Sequence, residues 1–221
     1  MSEAQSSVLR PNQLLLKVCG MRNKSNIQEL MLLQPDWLGF IFYSKSARYV
    51  EGALTEDDLK NLPVTVKKVG VFVNESFEVI REKVNKYTLN AVQLHGEESP
   101  ALCRQLSMTD DITVIKAFSL DDDFNFEALA LYDGTCNYFL FDTKGKQYGG
   151  NGTIFNWEIL QNYTGQTPFF LSGGLDLVHV ADIKRLNLPL LQGLDINSRF
   201  ELSPGLKDIS KVKTFIEKIR S

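Results

Sequence analysis

The sequence predicts an α/β fold, a single (β/α)8 TIM barrel, and three observations carry that prediction. Eight short apolar runs recur along the 221 residues. Helix signals stand between most of them. Lys17 in the first run and Gly193 in the eighth, taken as matched points, give about 25 residues per unit, the size of one βα unit of such a barrel. Runs rich in Val, Ile, Leu or Phe without polar alternation are strands buried on both faces, as in a parallel sheet. Alternation with right-handed crossovers permits an open doubly wound sheet or a closed barrel, and eight units in a chain this short favour closure.

The runs are Leu14–Cys19, Trp37–Phe42, Val69–Val73, Ala91–Leu94, Thr113–Ala117, Tyr138–Phe141, Phe169–Leu171 and Leu191–Ile196. After the first, Ser25-Asn-Ile-Gln28 has the spacing of a capping box ahead of Leu30 and Met31. Thr55 is placed to cap a short helix running toward Leu62. Ser76 precedes the stripe Phe77, Ile80, Val84. Ser99-Pro100 offers a cap followed by proline at the first helical position. Asp176 precedes Val180 and Ile183, and Ile209, Val212, Phe215, Ile216 and Ile219 form the apolar face of a last helix. The stretch 119–137, with Asp121-Asp-Asp123 and Gly134, predicts only a poor helix.

Composition narrows the function. A net charge of −3 argues against a nucleic-acid or polybasic membrane binder. No apolar run approaches the ~18 residues of a membrane span. Three cysteines, without a CxxC pair or a histidine pairing, predict neither a disulfide framework nor zinc. A reducing, cytoplasmic setting is expected. Residues 1–13 are polar, lack the build of a signal peptide and read as a flexible tail, leaving 14–221 as the barrel domain.

Chemistry in a barrel sits at the C-terminal ends of the strands. Lys17 and Cys19 end the first strand and, two apart, share its inward face. An ammonium beside a thiol favours thiolate, so Cys19 is expected to be a base or nucleophile; a small buried core cysteine is the other reading. Asp142 ends the sixth strand and reads as a general acid or base, as one half of a salt bridge to Lys116 or Lys144, or as a loop cap. Asp195 suits a structural partner for Lys17 or a loop amide at least as well as catalysis.

Ser172-Gly173-Gly174, followed by Asp176 and a helix start, is a phosphate cradle or a plain tight turn. Gly149-Gly150-Asn151-Gly152 reads as a lid after the sixth strand or as a loose surface loop, and lacks the spacing of a dinucleotide site. Arg48 offers a planar fork for a carboxylate, unless it is a solvated surface arginine. His95 suits a hydrogen-bonded wall better than a catalyst.

Together these segments resemble phosphoribosylanthranilate isomerases. The resemblance is carried by Lys17-Val-Cys-Gly20, Gly39-Phe-Ile-Phe-Tyr-Ser-Lys-Ser-Ala-Arg-Tyr49, Val69-Gly-Val-Phe-Val-Asn74 and Val92-Gln-Leu-His-Gly-Glu97. It continues through Phe141-Asp142 with Gly149-Gly-Asn-Gly152 and Trp157, Leu171-Ser-Gly-Gly-Leu175 and Pro204-Gly-Leu-Lys-Asp208. It implies a barrel enzyme without metal or organic cofactor that performs an Amadori rearrangement of a phosphosugar-anthranilate. It further implies Cys19 as general base, Asp142 as general acid and Arg48 on the anthranilate carboxylate. Lys17, His95, Gly149, Gly150, Gly152 and Asp195 would line the substrate. Ser172, Gly173, Gly174, Ser198 and Arg199 would seat the phosphate. Arg199 stands where the family usually has glycine, and Asn156 where it usually has aspartate before the tryptophan. No nucleic-acid or membrane partner is expected, and the oligomeric state stays open between monomer and homodimer.

Overall fold

The computed structural model describes residues 13–109, 112–143 and 157–221. Eight parallel strands close into a barrel in sequence order. They are β1 (Leu15–Val18), β2 (Trp37–Ile41), β3 (Lys67–Phe72), β4 (Ala91–Leu94), β5 (Thr113–Leu120), β6 (Tyr138–Thr143), β7 (Phe169–Ser172) and β8 (Leu191–Ile196). Each expected run became a strand. Closure runs through β1 against β8, with Lys17 beside Asp195 in the register.

The outer layer holds α1 (Lys24–Met31), α2 (Glu56–Lys60), α3 (Phe77–Tyr87), α4 (Pro100–Ser107), α5 (Val180–Arg185) and α6 (Ile209–Arg220). Thr55, Ser76, Ser99 and Asp176 cap as predicted, each accepting from a backbone N–H of the first turn. The first helix differs. Its cap is Asn23, which accepts from the Asn26 N–H, while the Ser25 hydroxyl donates to the Asn23 side chain. The weak stretch after β5 forms a 3-10 turn over Phe126–Tyr132, and short 3-10 turns also follow β6 and β7. After β8 a hairpin of β9 (Glu201–Ser203) and β10 (Leu206–Lys207) precedes α6.

Alternation along the strands sorts the barrel interior into layers. At the lower end Trp37, Val69, Ala91, Ile115, Leu140 and Phe170 form an apolar plug. The Trp37 ring meets Tyr138 and Phe170 with centroids 5.7 and 5.1 Å apart. Gly193 makes room for this plug, because a Cβ there would lie 2.5 Å from the Phe170 ring. One step higher on the same inward face the residues turn polar: Cys19, Gln93, His95, Asp142, Ser172 and Asp195. The plug thus closes the floor beneath a polar mouth. The larger core lies between strands and helices, where the apolar faces of α3 and α6 bury Ile80, Val84, Val212 and Phe215.

Candidate active site at the mouth of the barrel

The polar layer lines a cavity of 270 Å³. Its walls include Cys19 just past β1, Gln93 and His95 from β4 and its exit, Asp142 from β6, Ser172-Gly173-Gly174 from the end of β7 and its exit, and Asp195, Asn197, Ser198 and Arg199 from β8 and the following turn. Ile41, Val71, Val73 and Leu175 supply the apolar wall.

Cys19 is buried, and Gly39 on the neighbouring strand is what leaves room for it: a Cβ at residue 39 would lie 2.7 Å from the Cys19 sulfur. Lys17 sits beneath, fully buried, with Nζ donating to Asp195 Oδ1 at 2.9 Å. It does not line the cavity. The pull toward thiolate that Lys17 exerts on Cys19 is opposed by its surroundings. Burial pushes the Cys19 thiol above its ordinary value, and Asp195 adds to that, outweighing the downward pull of Lys17 and of Lys207. For Lys17 burial works against the charge, but Asp195 and Cys19 together hold the ammonium above its usual range. Desolvation therefore wins over the neighbouring cation at Cys19.

A sign follows. Asp195→Asn removes a negative charge that disfavours thiolate and keeps an amide oxygen for Lys17. Site-resolved alkylation of Cys19 by iodoacetamide should then reach its thiolate plateau at a lower pH than in the wild type. An unmoved or upward-shifted profile would contradict this electrostatic account of the triad. Breaking a buried pair of this kind is expected to cost about 3–5 kcal/mol at most.

Asp142 is 35% exposed, and His95 Nε2 lies 3.5 Å from its Oδ2. The His95 Nδ1 takes the Gln93 amide at 2.8 Å, leaving Nε2 turned to the carboxylate. The alternative of an Asp142–Lys116 salt bridge is overturned. Lys116 instead pairs with Glu98 at 3.2 Å and donates to the carbonyls of Gly96 and Ala117. Glu98 in turn accepts from the Asn74 and Gly96 N–H groups, so this buried pair fixes the turn that carries His95. Lys144 lies outside the described residues, as do Gly149, Gly150 and Gly152.

Asp195 serves as the partner of Lys17 and also lines the cavity, with the Ser172 hydroxyl 3.3 Å from its Oδ2. Gly173 and Gly174 both adopt positive φ, +90° and +65°, which places their turn in a conformation side chains disfavour. Ser198 and Arg199 begin a 3-10 turn opposite them, both exposed, and Lys211 ties the two loops by reaching the Arg199 carbonyl and the Asp176 carboxylate.

Arg48 stands at the edge of this cavity rather than in its lining. Its side chain crosses Gly20, where a Cβ would lie 2.7 Å from Arg48 Cδ, and its guanidinium binds Glu201. Glu201, Lys207, Asn197, Gln93 and the Lys116–Glu98 pair are site or support residues that sequence reasoning missed. The signal for Glu201 was a lone carboxylate between Phe200 and Leu202 just beyond the eighth apolar run.

Among the described residues, no group of three or more His, Cys, Asp or Glu could hold a metal ion. No described helix is long and apolar enough to cross a membrane.

Comparison with known proteins identifies relatives. The sequence model of the N-(5'-phosphoribosyl)anthranilate isomerase family matches residues 16–218. An N-(5'-phosphoribosyl)anthranilate isomerase of Parabacteroides distasonis is 45% identical over 207 residues, covering 93% of each chain. One from Phocaeicola vulgatus is 43% identical, covering 94% of this chain and 98% of its own. The crystal structure of phosphoribosyl anthranilate isomerase from Thermotoga maritima superposes with a TM-score of 0.80 at 34% identity, covering 94% of this chain and 99% of that one. Another, in complex with reduced 1-(o-carboxyphenylamino)-1-deoxyribulose 5-phosphate, has a TM-score of 0.77 at 32% identity, with the same coverage. A closed eight-stranded barrel, a polar mouth and matches across nearly the whole chain agree: the chain belongs to the N-(5'-phosphoribosyl)anthranilate isomerase family.

Proposed function

We propose that this isomerase converts N-(5-phosphoribosyl)anthranilate to 1-(2-carboxyphenylamino)-1-deoxyribulose 5-phosphate, a step of tryptophan biosynthesis, with Asp142 as general acid and Cys19 as general base. Residues 14–221 act as one catalytic unit. The observation that carries the reading is the convergence of Cys19 from β1 and Asp142 from β6 on different walls of one cavity.

Asp142 gives its proton to the ribose ring oxygen as the bond from that oxygen to C1 breaks. The anilino nitrogen lone pair forms the iminium. Cys19, as thiolate, takes the proton from C2, and the freed electron pair moves into C1–C2 to give an enolamine. Ketonisation adds a proton at C1 and releases the proton of the C2 hydroxyl, and these two transfers return Cys19 and Asp142 to their starting states. Burial holds the Cys19 thiol above its ordinary value, and turnover needs Cys19 as thiolate and Asp142 with its proton together, so rate against pH should be bell-shaped; a profile flat across the working range would contradict the pair.

The phosphate sits against the amides of Gly173, Gly174 and Ser198, with Ser172 and Arg199 beside it. Backbone N–H groups at glycine turns approach an anion closely, which supports this placement. Arg48 holds the anthranilate carboxylate at the edge of the cavity. Arg48→Ala should cost about 2–4 kcal/mol of binding to substrate analogues that carry the ring carboxylate. Analogues without that carboxylate should be affected far less, and equal weakening of both would remove Arg48 from the role. Turnover itself is tested by the loss of anthranilate fluorescence when purified protein is mixed with N-(5-phosphoribosyl)anthranilate; no loss at catalytic protein concentrations would refute the proposed reaction.

A further inference from the structure

The side chain of Glu201, at the start of the hairpin after β8, is 4% exposed and fully engaged. Arg48 Nε donates to both of its oxygens, at 2.9 and 3.0 Å, and Arg48 Nη2 donates to Oε2. Lys207 Nζ, itself fully buried, donates to Oε1 at 2.7 Å, and the Gly205 N–H donates to the same oxygen at 3.1 Å. The hairpin that carries this carboxylate is anchored. Buried Asn26 of α1 exchanges two hydrogen bonds with the Lys207 backbone, and Lys207 Nζ also donates to Asn197 Oδ1. Glu201 is thus a rigid carboxylate on a rigid support.

A guanidinium presents two edges to a carboxylate: side-on, through Nε and Nη2, and end-on, through Nη1 and the second hydrogen of Nη2. Glu201 occupies the side-on edge. One carboxylate against two cations, Arg48 and Lys207, leaves the cluster a net positive charge beside Cys19 and the cavity. We propose that Glu201 is a positioning residue: it locks Arg48 by its side-on edge, so that the end-on edge is the one offered to the substrate's ring carboxylate, and it thereby sets selectivity for a carboxylated ring. The inference rests on the proposed role of Arg48. A planar fork held in one orientation loses less rotamer freedom on binding than a swinging one, which is how a group that never touches substrate strengthens the contact.

Binding of two probes tests this: reduced 1-(o-carboxyphenylamino)-1-deoxyribulose 5-phosphate, and the same compound without the ring carboxyl. The proteins are the wild type, Arg48→Ala, Glu201→Gln and the double variant. Glu201→Gln should weaken the carboxylated probe roughly 10-fold or more and leave the other within about twofold, the scale of one charge-assisted hydrogen bond. In the Arg48→Ala background it should add no further selective loss. If Arg48→Ala weakens both probes equally, the role of Arg48 fails and takes the proposal with it. If Arg48→Ala is selective but Glu201→Gln is not, only the positioning role is overturned. Tighter binding of the carboxylated probe to Glu201→Gln would overturn it too, because Glu201 would then be a competitor for Arg48. Should the unpaired Lys207 ammonium prevent Glu201→Gln from folding, Glu201→Gln combined with Lys207→Met removes both buried charges, and the same ratio of affinities is read from it.

Discussion

Cys19→Ser should lower turnover by about 10²–10⁴-fold, the range expected when one partner of a proton transfer is lost. Serine nearly matches cysteine in volume and fits the space that Gly39 leaves beside the sulfur. The Lys17–Asp195 pair beneath it is untouched. Stability should therefore change little, and melting should stay within a few degrees of the wild type. What changes is acidity. Burial already holds the Cys19 thiol above its ordinary value, and a hydroxyl in the same place ionises far less readily at neutral pH. Steady-state kinetics with thermal unfolding on the same preparation separates the two effects. Wild-type turnover in this variant would remove Cys19 as the base.

Asp142→Asn should produce a loss of similar size, about 10²–10⁴-fold, for a different reason. An amide has the shape of the carboxyl but no proton to deliver to the ring oxygen. Asp142 is partly exposed and, among the described residues, lies 3.5 Å from His95, so exchanging its carboxyl for an amide of the same shape should disturb packing little. The variant should bind the reduced product analogue while failing to open the substrate ring. Turnover close to wild type would place the acid elsewhere.

The barrel was legible because its signals are local. Ala91–Leu94 and Leu191–Ile196 match their strands end to end, since an apolar run buried on both faces has few other uses. The caps Thr55, Ser76, Ser99 and Asp176 were legible for the same reason: each bonds within its own first turn. The first helix shows where this ends. Asn23 and Ser25 both precede the apolar stripe, and only the backbone path decides which side chain reaches the Asn26 N–H.

The candidate site divides along the same line. Inward alternation from β1 and β6 brought Cys19 and Asp142 to the mouth, as their positions at strand ends implied. Lys17 beside Cys19 was equally visible, but the state of the thiol was not. That state depends on burial, a collective property of the closed barrel, which here outweighs the single neighbouring charge. Glu201 was missed because its partner Arg48 lies 153 residues away and the hairpin holding it reads as a polar connection. Lys116 was visible as a charged strand residue, yet its partner Glu98 on the turn after β4 was not predicted.

The central claim is that Cys19 and Asp142 form one acid–base pair acting on one bound substrate. Its most direct test is single-turnover loss of fluorescence from N-(5-phosphoribosyl)anthranilate, with protein in excess, for the wild type, Cys19→Ser and Asp142→Asn. Rapid loss is expected with the wild type and slow or absent loss with each variant, while all three bind the reduced product analogue with similar affinity. Wild-type rates in either variant, or no loss of fluorescence with the wild type, would contradict it.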